Sequence, residues 1–108
     1  MQTREKSCRL KFAQKIKATA GAQVVDVRTP EEFSEGYLKG AVNINWNEDD
    51  FETNVAKLDK NKPAFVYCRV GKRSSAAAKK MRDMGFKEVY ELDGGILDWE
   101  AEHLPLTK

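Results

Sequence analysis

The sequence has few of the residues on which metal and disulfide chemistry depend. Its 108 residues include one histidine, His103, and two cysteines, Cys8 and Cys68. No pair of cysteines or histidines stands at the spacing of metal ligands, so we expect no metal site. The two cysteines form no disulfide-rich scaffold pattern, and we interpret both as free thiols.

Long hydrophobic runs and a strong excess of one charge are also missing. The uncharged stretches are too short to cross a bilayer as a helix, so we expect no membrane association. The net charge of +2 gives no reason to expect a nucleic-acid partner. Residues 1–7 are polar and show no signal-peptide core, which favours a cytoplasmic protein, or a periplasmic one if an export signal has been removed. We expect residues 1–7 to be poorly ordered.

The composition that remains suits one globular domain over residues 1–108. Hydrophobic residues make up 41% of the chain and charged residues 33%, which argues against disorder. Segments with strand and helix patterns alternate along the chain. The strand candidates are Val24–Val27, Gly40–Ile44 and Pro63–Tyr67, and the stretch Gly85–Leu92 is interpreted as a turn followed by another strand. This alternation predicts a three-layer α/β/α fold, with a mostly parallel sheet and helices on both of its faces.

Helix signals separate the strand candidates. A loose helical stripe runs from Cys8 to Lys17. Thr29, Pro30 and Glu32 match a capping box at the start of a second helix, which we expect to turn Phe33 inward. We further predict Asn47 as the N-cap of a helix through Leu58, a helix over 75–84 that ends at Gly85, and a last helix with one apolar face of Ile96, Leu97 and Trp99.

Cys68 stands where the apolar run Pro63–Tyr67 ends and the loop Arg69–Ser74 begins. In a unit of strand, tight loop and helix, the loop and the first helical turn can aim their N–H groups at one point. Three cationic side chains lie in this loop, and they and the helix N-terminus favour a thiolate: Arg69, Lys72 and Arg73. The spacing therefore predicts an activated cysteine nucleophile.

Less specific interpretations exist for each of these residues. A cysteine in an apolar strand is more often part of the core, but a basic, glycine-containing loop directly after Cys68 favours catalysis. Cys8 has no partner cysteine nearby, and we interpret it as incidental. His103 is interpreted as a surface or capping residue.

Asp26 and Arg28 stand at the end of the first strand candidate. Ligand sites in parallel α/β sheets gather at the carboxyl ends of the strands, so both could lie near the Cys68 loop. They could equally form a local structural ion pair. The sequence leaves the two alternatives open.

Four stretches together resemble the single-domain rhodaneses, the thiosulfate sulfurtransferase-like proteins. They are Asp26–Phe33, Gly36–Ala41, Cys68–Ser74 and Leu92–Trp99. The family usually has histidine where this chain has Tyr37, at a position that we regard as structural. The resemblance implies a rhodanese-like three-layer fold.

The resemblance also implies a reaction. Cys68 would take the outer sulfur of a donor such as thiosulfate as a persulfide and pass it to cyanide or a thiol. The substrate-binding residues would be Arg69, Val70, Gly71, Lys72, Arg73 and Ser74, with Asp26 and Arg28 in support. No cofactor or metal is implied. We expect a monomer whose partners are a small sulfur donor and acceptor, with a thiol protein as a further possibility.

Two alternatives belong to the same fold. A phosphatase or arsenate reductase needs five residues between cysteine and arginine, whereas here Ser74 occupies the arginine position and the loop is one residue short. A non-catalytic interaction module would need neither the cysteine nor the basic loop. We therefore predict a sulfurtransferase.

Overall fold

The computed structural model of the protein describes residues 6–7, 9–92, 94–101 and 106–107. These residues form strands β1 (Lys6–Ser7), β2 (Gln23–Asp26), β3 (Val42–Asn43), β4 (Ala64–Tyr67) and β5 (Val89–Leu92). The helices are α1 (Arg9–Ala18), α2 (Pro30–Ser34), α3 (Phe51–Val55), α4 (Lys72–Asp83) and α5 (Gly95–Ala101).

The five described strands form one sheet in the order β1-β5-β4-β2-β3, and every pair within it is parallel. β4 lies in the middle of the sheet. Its Tyr67 is level with Asp26 of β2, and its Val66 is level with Glu91 of β5. The predicted parallel α/β fold is confirmed, and the carboxyl ends of β2, β4 and β5 meet at one edge.

Side chains alternate between two cores because successive residues of a strand point to opposite faces of the sheet. One core joins the strands to α3 and α4 through Phe51, Val55, Ala77, Ala78 and Met81. The other joins them to α1 and α5 through Phe12, Ile96 and Trp99. Helices therefore cover both faces, as predicted.

The capping box of α2 is confirmed. The Thr29 side chain accepts a hydrogen bond from the Glu32 amide, and the Glu32 carboxylate accepts one from the Thr29 amide. The prediction that Phe33 turns into the core is wrong, because the α2 helix buries none of its residues. Phe33 is half-buried and stacks on Tyr37, with 4.0 Å between the ring centroids.

Three local predictions need correction. Asn47 does not cap a helix: its amide donates to the Asn45 side chain in a turn, and α3 begins only after Asp50 and ends before Leu58. Leu97 is 40% exposed, so the buried face of α5 consists of Ile96 and Trp99. Lys6 and Ser7 were expected to lack order, but they pair with β5.

Some predictions fall outside the described part of the chain. Residues 1–5, Cys8 and His103 are among them, and their predictions stay untested. Within the described part, no helix is both long enough and apolar enough to cross a bilayer.

Candidate active site

Cys68 follows the central strand directly, and its sulfur is surrounded by hydrogen-bond donors of the loop. The amides of Gly71 and Ser74 point at Sγ over 3.1 and 3.2 Å. The Ser74 hydroxyl lies 3.4 Å from Sγ and also donates to the Gly71 carbonyl. Cys68 has no exposed surface. N–H groups aimed at a sulfur stabilise negative charge on it.

Glycine at position 71 makes this cradle possible. Gly71 has φ of +102°, in the left-handed region that residues with a side chain seldom adopt, and it immediately precedes α4. Its carbonyl accepts the Ser75 amide, which closes the first turn of α4. The loop therefore turns sharply enough to bring two amides onto one sulfur atom.

A second glycine supports the loop from outside and was not predicted as part of the site. A Cβ on Gly95 would lie 2.3 Å from the Arg69 carbonyl oxygen, so the start of α5 lies directly against the loop. The amides of Ile96 and Leu97 donate to the carbonyls of Cys68 and Arg69 over 2.8 and 3.2 Å. The pair Gly94-Gly95 after a predicted strand was the available sequence signal for such a close approach.

Arg73 ties the loop to α2. Its guanidinium makes two hydrogen bonds to the Glu32 carboxylate, over 2.8 and 3.0 Å. The hydrogen bonds from Arg73, together with those from Thr29, lower the pKa of Glu32 to about 2. The pKa of Arg73 is raised by the same pair of hydrogen bonds. Arg73 is thus held by Glu32 on the side of the loop that faces α2.

Asp26 and Arg28 form a buried pair beside the site. Arg28 donates to the Asp26 carboxylate through Nε and through Nη2, the latter over 2.6 Å, and also to the Gly36 carbonyl. Burial raises the pKa of Tyr67, and the nearby Asp26 carboxylate raises it further, so the phenol stays protonated. These contacts fit the structural alternative for the pair, while a direct role toward a substrate stays a prediction.

The outer surface of the loop has a different character. Arg69, Val70 and Lys72 are exposed, Val70 to 55%. Within the described part of the chain, the Arg69 and Lys72 side chains make no hydrogen bond or ion pair. The structure therefore brings the predicted residues 68–74 together at one place, with free cations outside and amides inside. The loop itself ends at Gly71, and residues 72–74, which the sequence predicts to be in the loop, form the first turn of α4 because that helix begins at Lys72 and not at Ser75. Among the residues that the structure describes, no cluster of three or more His, Cys, Asp or Glu side chains could hold a metal ion.

Comparison with known proteins gives a family model and several relatives. The family model described as rhodanese-like domain matches residues 10–102. The chain is 40% identical over 82 residues to the thiosulfate sulfurtransferase GlpE of Pseudomonas aeruginosa, an alignment covering 75% of this chain and 72% of that protein.

Two further similarities concern a protein without an assigned function and a solved structure. The chain is 40% identical over 78 residues to the uncharacterized protein YqhL of Bacillus subtilis, which covers 72% of this chain but only 60% of YqhL. A rhodanese-related protein of Thermoplasma volcanium superimposes with a TM-score of 0.84 at 26% identity, over 95% of this chain and 97% of that one. The chain therefore belongs to the rhodanese-like domain family.

Proposed function

We propose that the protein is a sulfurtransferase that moves a sulfane sulfur from a donor such as thiosulfate to cyanide or a thiol through a persulfide on Cys68. The observation that carries the proposal is the position of Sγ under the amides of Gly71 and Ser74. Two N–H groups directed at an anionic sulfur stabilise it much as an oxyanion hole stabilises an anionic oxygen.

The reaction would have two displacement steps. In the first, the Cys68 thiolate attacks the outer sulfur of thiosulfate, the S–S bond of thiosulfate breaks, and sulfite leaves with the bonding electron pair. In the second, cyanide or a thiolate attacks the outer sulfur of the persulfide, and the electron pair of the broken S–S bond returns to Sγ. A covalent intermediate divides one difficult transfer into two easier ones. Ser74 Oγ, 3.4 Å from Sγ, accepts a hydrogen bond from the thiol form of Cys68, and the thiol proton passes to solvent when the thiolate forms.

The burial of Cys68 places a condition on this reaction. Because the residue has no exposed surface, a donor reaches Sγ only when the loop moves outward. Arg69 and Lys72, exposed on the same loop, would attract a dianionic donor to this place. The name of the Pseudomonas aeruginosa relative supports thiosulfate as the donor.

An oxyanion-cleaving enzyme is the second candidate function on this fold, and the loop disfavours it. The position that would hold the gripping arginine is occupied by Ser74, whose side chain contacts Cys68 and Gly71. The loop cation nearest in sequence, Arg73, is bound to Glu32. A non-catalytic module would not explain two amides directed at a cysteine sulfur.

Mass spectrometry of the intact protein after incubation with thiosulfate tests the proposal. We expect one added sulfur atom, located on the peptide that contains Cys68, and its loss on addition of cyanide. Cys68→Ser should abolish both the added mass and sulfur transfer to cyanide, whereas Cys8→Ser should leave them unchanged. Equal loss of transfer in the two variants would indicate a dithiol mechanism and would contradict the proposal.

A further inference from the structure

A groove of about 640 Å³ begins at the Cys68 loop and runs away from it along α4. Val70, Gly71 and Lys72 form its near end, Ser75 and Ala76 its wall, and the end of β5 its floor; Lys79 lies at the far end. Pockets of 300–1,000 Å³ are typical of small organic ligands. A thiosulfate or cyanide ion would occupy only a small part of this volume.

The charges along the groove define what it can hold. Lys72 and Lys79 are seven residues apart on α4, which corresponds to about 10 Å along the helix axis. Lys79 has only a weak ion pair with Asp83, at 3.7 Å between two largely exposed side chains. The one carboxylate in the lining, that of Glu91, is 4% exposed and is paired with Arg82. A ligand in the groove would therefore meet two cations with little to compensate them.

Resting on the proposed sulfur transfer, we propose that this groove binds the acceptor: a peptide-sized thiol that carries two carboxylates. One carboxylate lies near Lys72 and the other near Lys79, while Val70 and Ala76 contact the stem between them. Lys79 thereby becomes a specificity-determining residue remote from the loop. The bound acceptor, as thiolate, attacks the outer sulfur of the Cys68 persulfide, the S–S bond breaks with its electron pair on Sγ, and the acceptor leaves as its persulfide.

Glutathione, a tripeptide thiol with two carboxylates, is the probe for this groove. We expect Lys79→Gln to lower kcat/KM for glutathione about fivefold, as the loss of one exposed ion pair would. The same variant should leave kcat/KM for 2-mercaptoethanol and for cyanide unchanged, because neither reaches Lys79. Lys87→Gln is the matched control: it removes the same charge from an exposed lysine before β5, at the opposite edge of the sheet.

S-methylglutathione, which has both carboxylates but cannot accept sulfur, separates binding from chemistry. It should inhibit transfer to glutathione competitively, and its inhibition constant should rise about fivefold in Lys79→Gln and stay constant in Lys87→Gln. An unchanged inhibition constant in Lys79→Gln would overturn the groove assignment. An equal loss of kcat/KM with glutathione, 2-mercaptoethanol and cyanide would overturn it as well. In both cases, transfer from thiosulfate to cyanide in the unmodified protein still reports on the proposed function alone.

Discussion

Gly95 occupies a position where no side chain fits. Its φ is +66°, and the oxygen that an added Cβ would meet at 2.3 Å belongs to the backbone of Arg69, which cannot rotate away. A displaced Arg69 carbonyl would pull on the next peptide units of the loop. One atom added 27 residues from Cys68 in sequence would thus change the surroundings of its sulfur.

Gly95→Ala should lower the free energy of unfolding by about 3 kcal/mol and reduce sulfur transfer from thiosulfate, because backbone strain and a backbone clash act together. Gly40→Ala is the matched control. Gly40 has φ of +80°, but nothing lies within 4 Å of the added carbon. Gly40→Ala should therefore lower the free energy of unfolding by only about 1 kcal/mol and leave sulfur transfer unchanged. Urea unfolding and steady-state kinetics measure both quantities. Equal losses of stability and activity in the two variants would contradict the close contact between Gly95 and the Arg69 backbone.

Arg69 and Lys72 are the loop cations without a partner among the described residues, and both are exposed. If they attract the dianionic donor, the double variant Arg69→Ala, Lys72→Ala should lower kcat/KM for thiosulfate about tenfold, with a weaker effect at high salt. Lys39→Ala, Lys87→Ala removes the same charge from two exposed lysines that precede strands. Steady-state kinetics at two ionic strengths compares the pairs. An unchanged kcat/KM for thiosulfate in Arg69→Ala, Lys72→Ala would mean that the backbone amides alone bind the donor.

At the scale of elements, α2 and α4 are joined by a single ion pair across the site. Glu32 takes part both in the capping box of α2 and in the bidentate contact with Arg73. The start of one helix therefore fixes the start of the other. A capping box is usually a local signal for the start of a helix, but here its glutamate also contacts Arg73, 41 residues away in the first turn of α4.

The Glu32–Arg73 pair predicts a pH dependence of stability. The pKa of Glu32 in the folded protein, about 2, lies below the ordinary value of 4.5. The pair therefore stabilises the folded protein above about pH 5, and this contribution is lost as the pH falls toward 2. Glu32→Gln, which can still form the capping box, should cost about 2 kcal/mol at pH 7 and progressively less toward pH 3.

Urea unfolding at several pH values measures this difference. Glu31→Gln is the control, since Glu31 stands one residue earlier in the same helix, is exposed and has no ion pair within the described residues. A cost of Glu32→Gln that stays constant from pH 7 to pH 3 would mean that packing rather than charge carries the effect.

The number of residues from Cys68 to Ser74, in the loop and the first turn of α4, sets the radius of the amide cradle. Six residues from Arg69 to Ser74 bring the amides of Gly71 and Ser74 onto one sulfur. We expect no hydrolysis of an aryl phosphate, because four oxygens need more donors and a gripping arginine. A glycine inserted after Val70 should lower thiosulfate transfer at least tenfold, since it moves the amides off Sγ. Phosphate release by the unmodified protein, or full transfer by the lengthened loop, would contradict this.

For the whole molecule, the alternation of helix and strand signals was enough to predict the architecture. Buried parallel strands are apolar along their length, and the four residues of β4 are all buried. The position of the Cys68 loop was predictable for the same reason, since Cys68 directly follows such a strand. Elements that depend on distant partners were not predictable from the sequence. Strand β1, for example, is two residues long and exists through its pairing with β5.

The remaining errors have the same origin. Asn47 has the chemistry of an N-cap, but its amide is taken up by Asn45 and the chain turns before α3 begins. Leu97 is apolar, yet its side chain is exposed, while its amide donates to the loop carbonyl of Arg69. The contacts of Gly95 with the loop and of Glu32 with Arg73 join segments far apart in sequence. The pair Gly94-Gly95 signals a close approach, but no local pattern specifies the partner in either contact.

The central position of β4 determines how durable the sulfur's surroundings are. A strand with neighbours on both sides exchanges its amide hydrogens only when the protein unfolds as a whole, whereas edge strands fray at little cost. β1 and β3, the two edges, are each two residues long. Heating or denaturant should therefore loosen the borders of the sheet first, while β4 holds the backbone before Cys68 in place until the cooperative transition. The loop can open for a donor without any loss of this central strand.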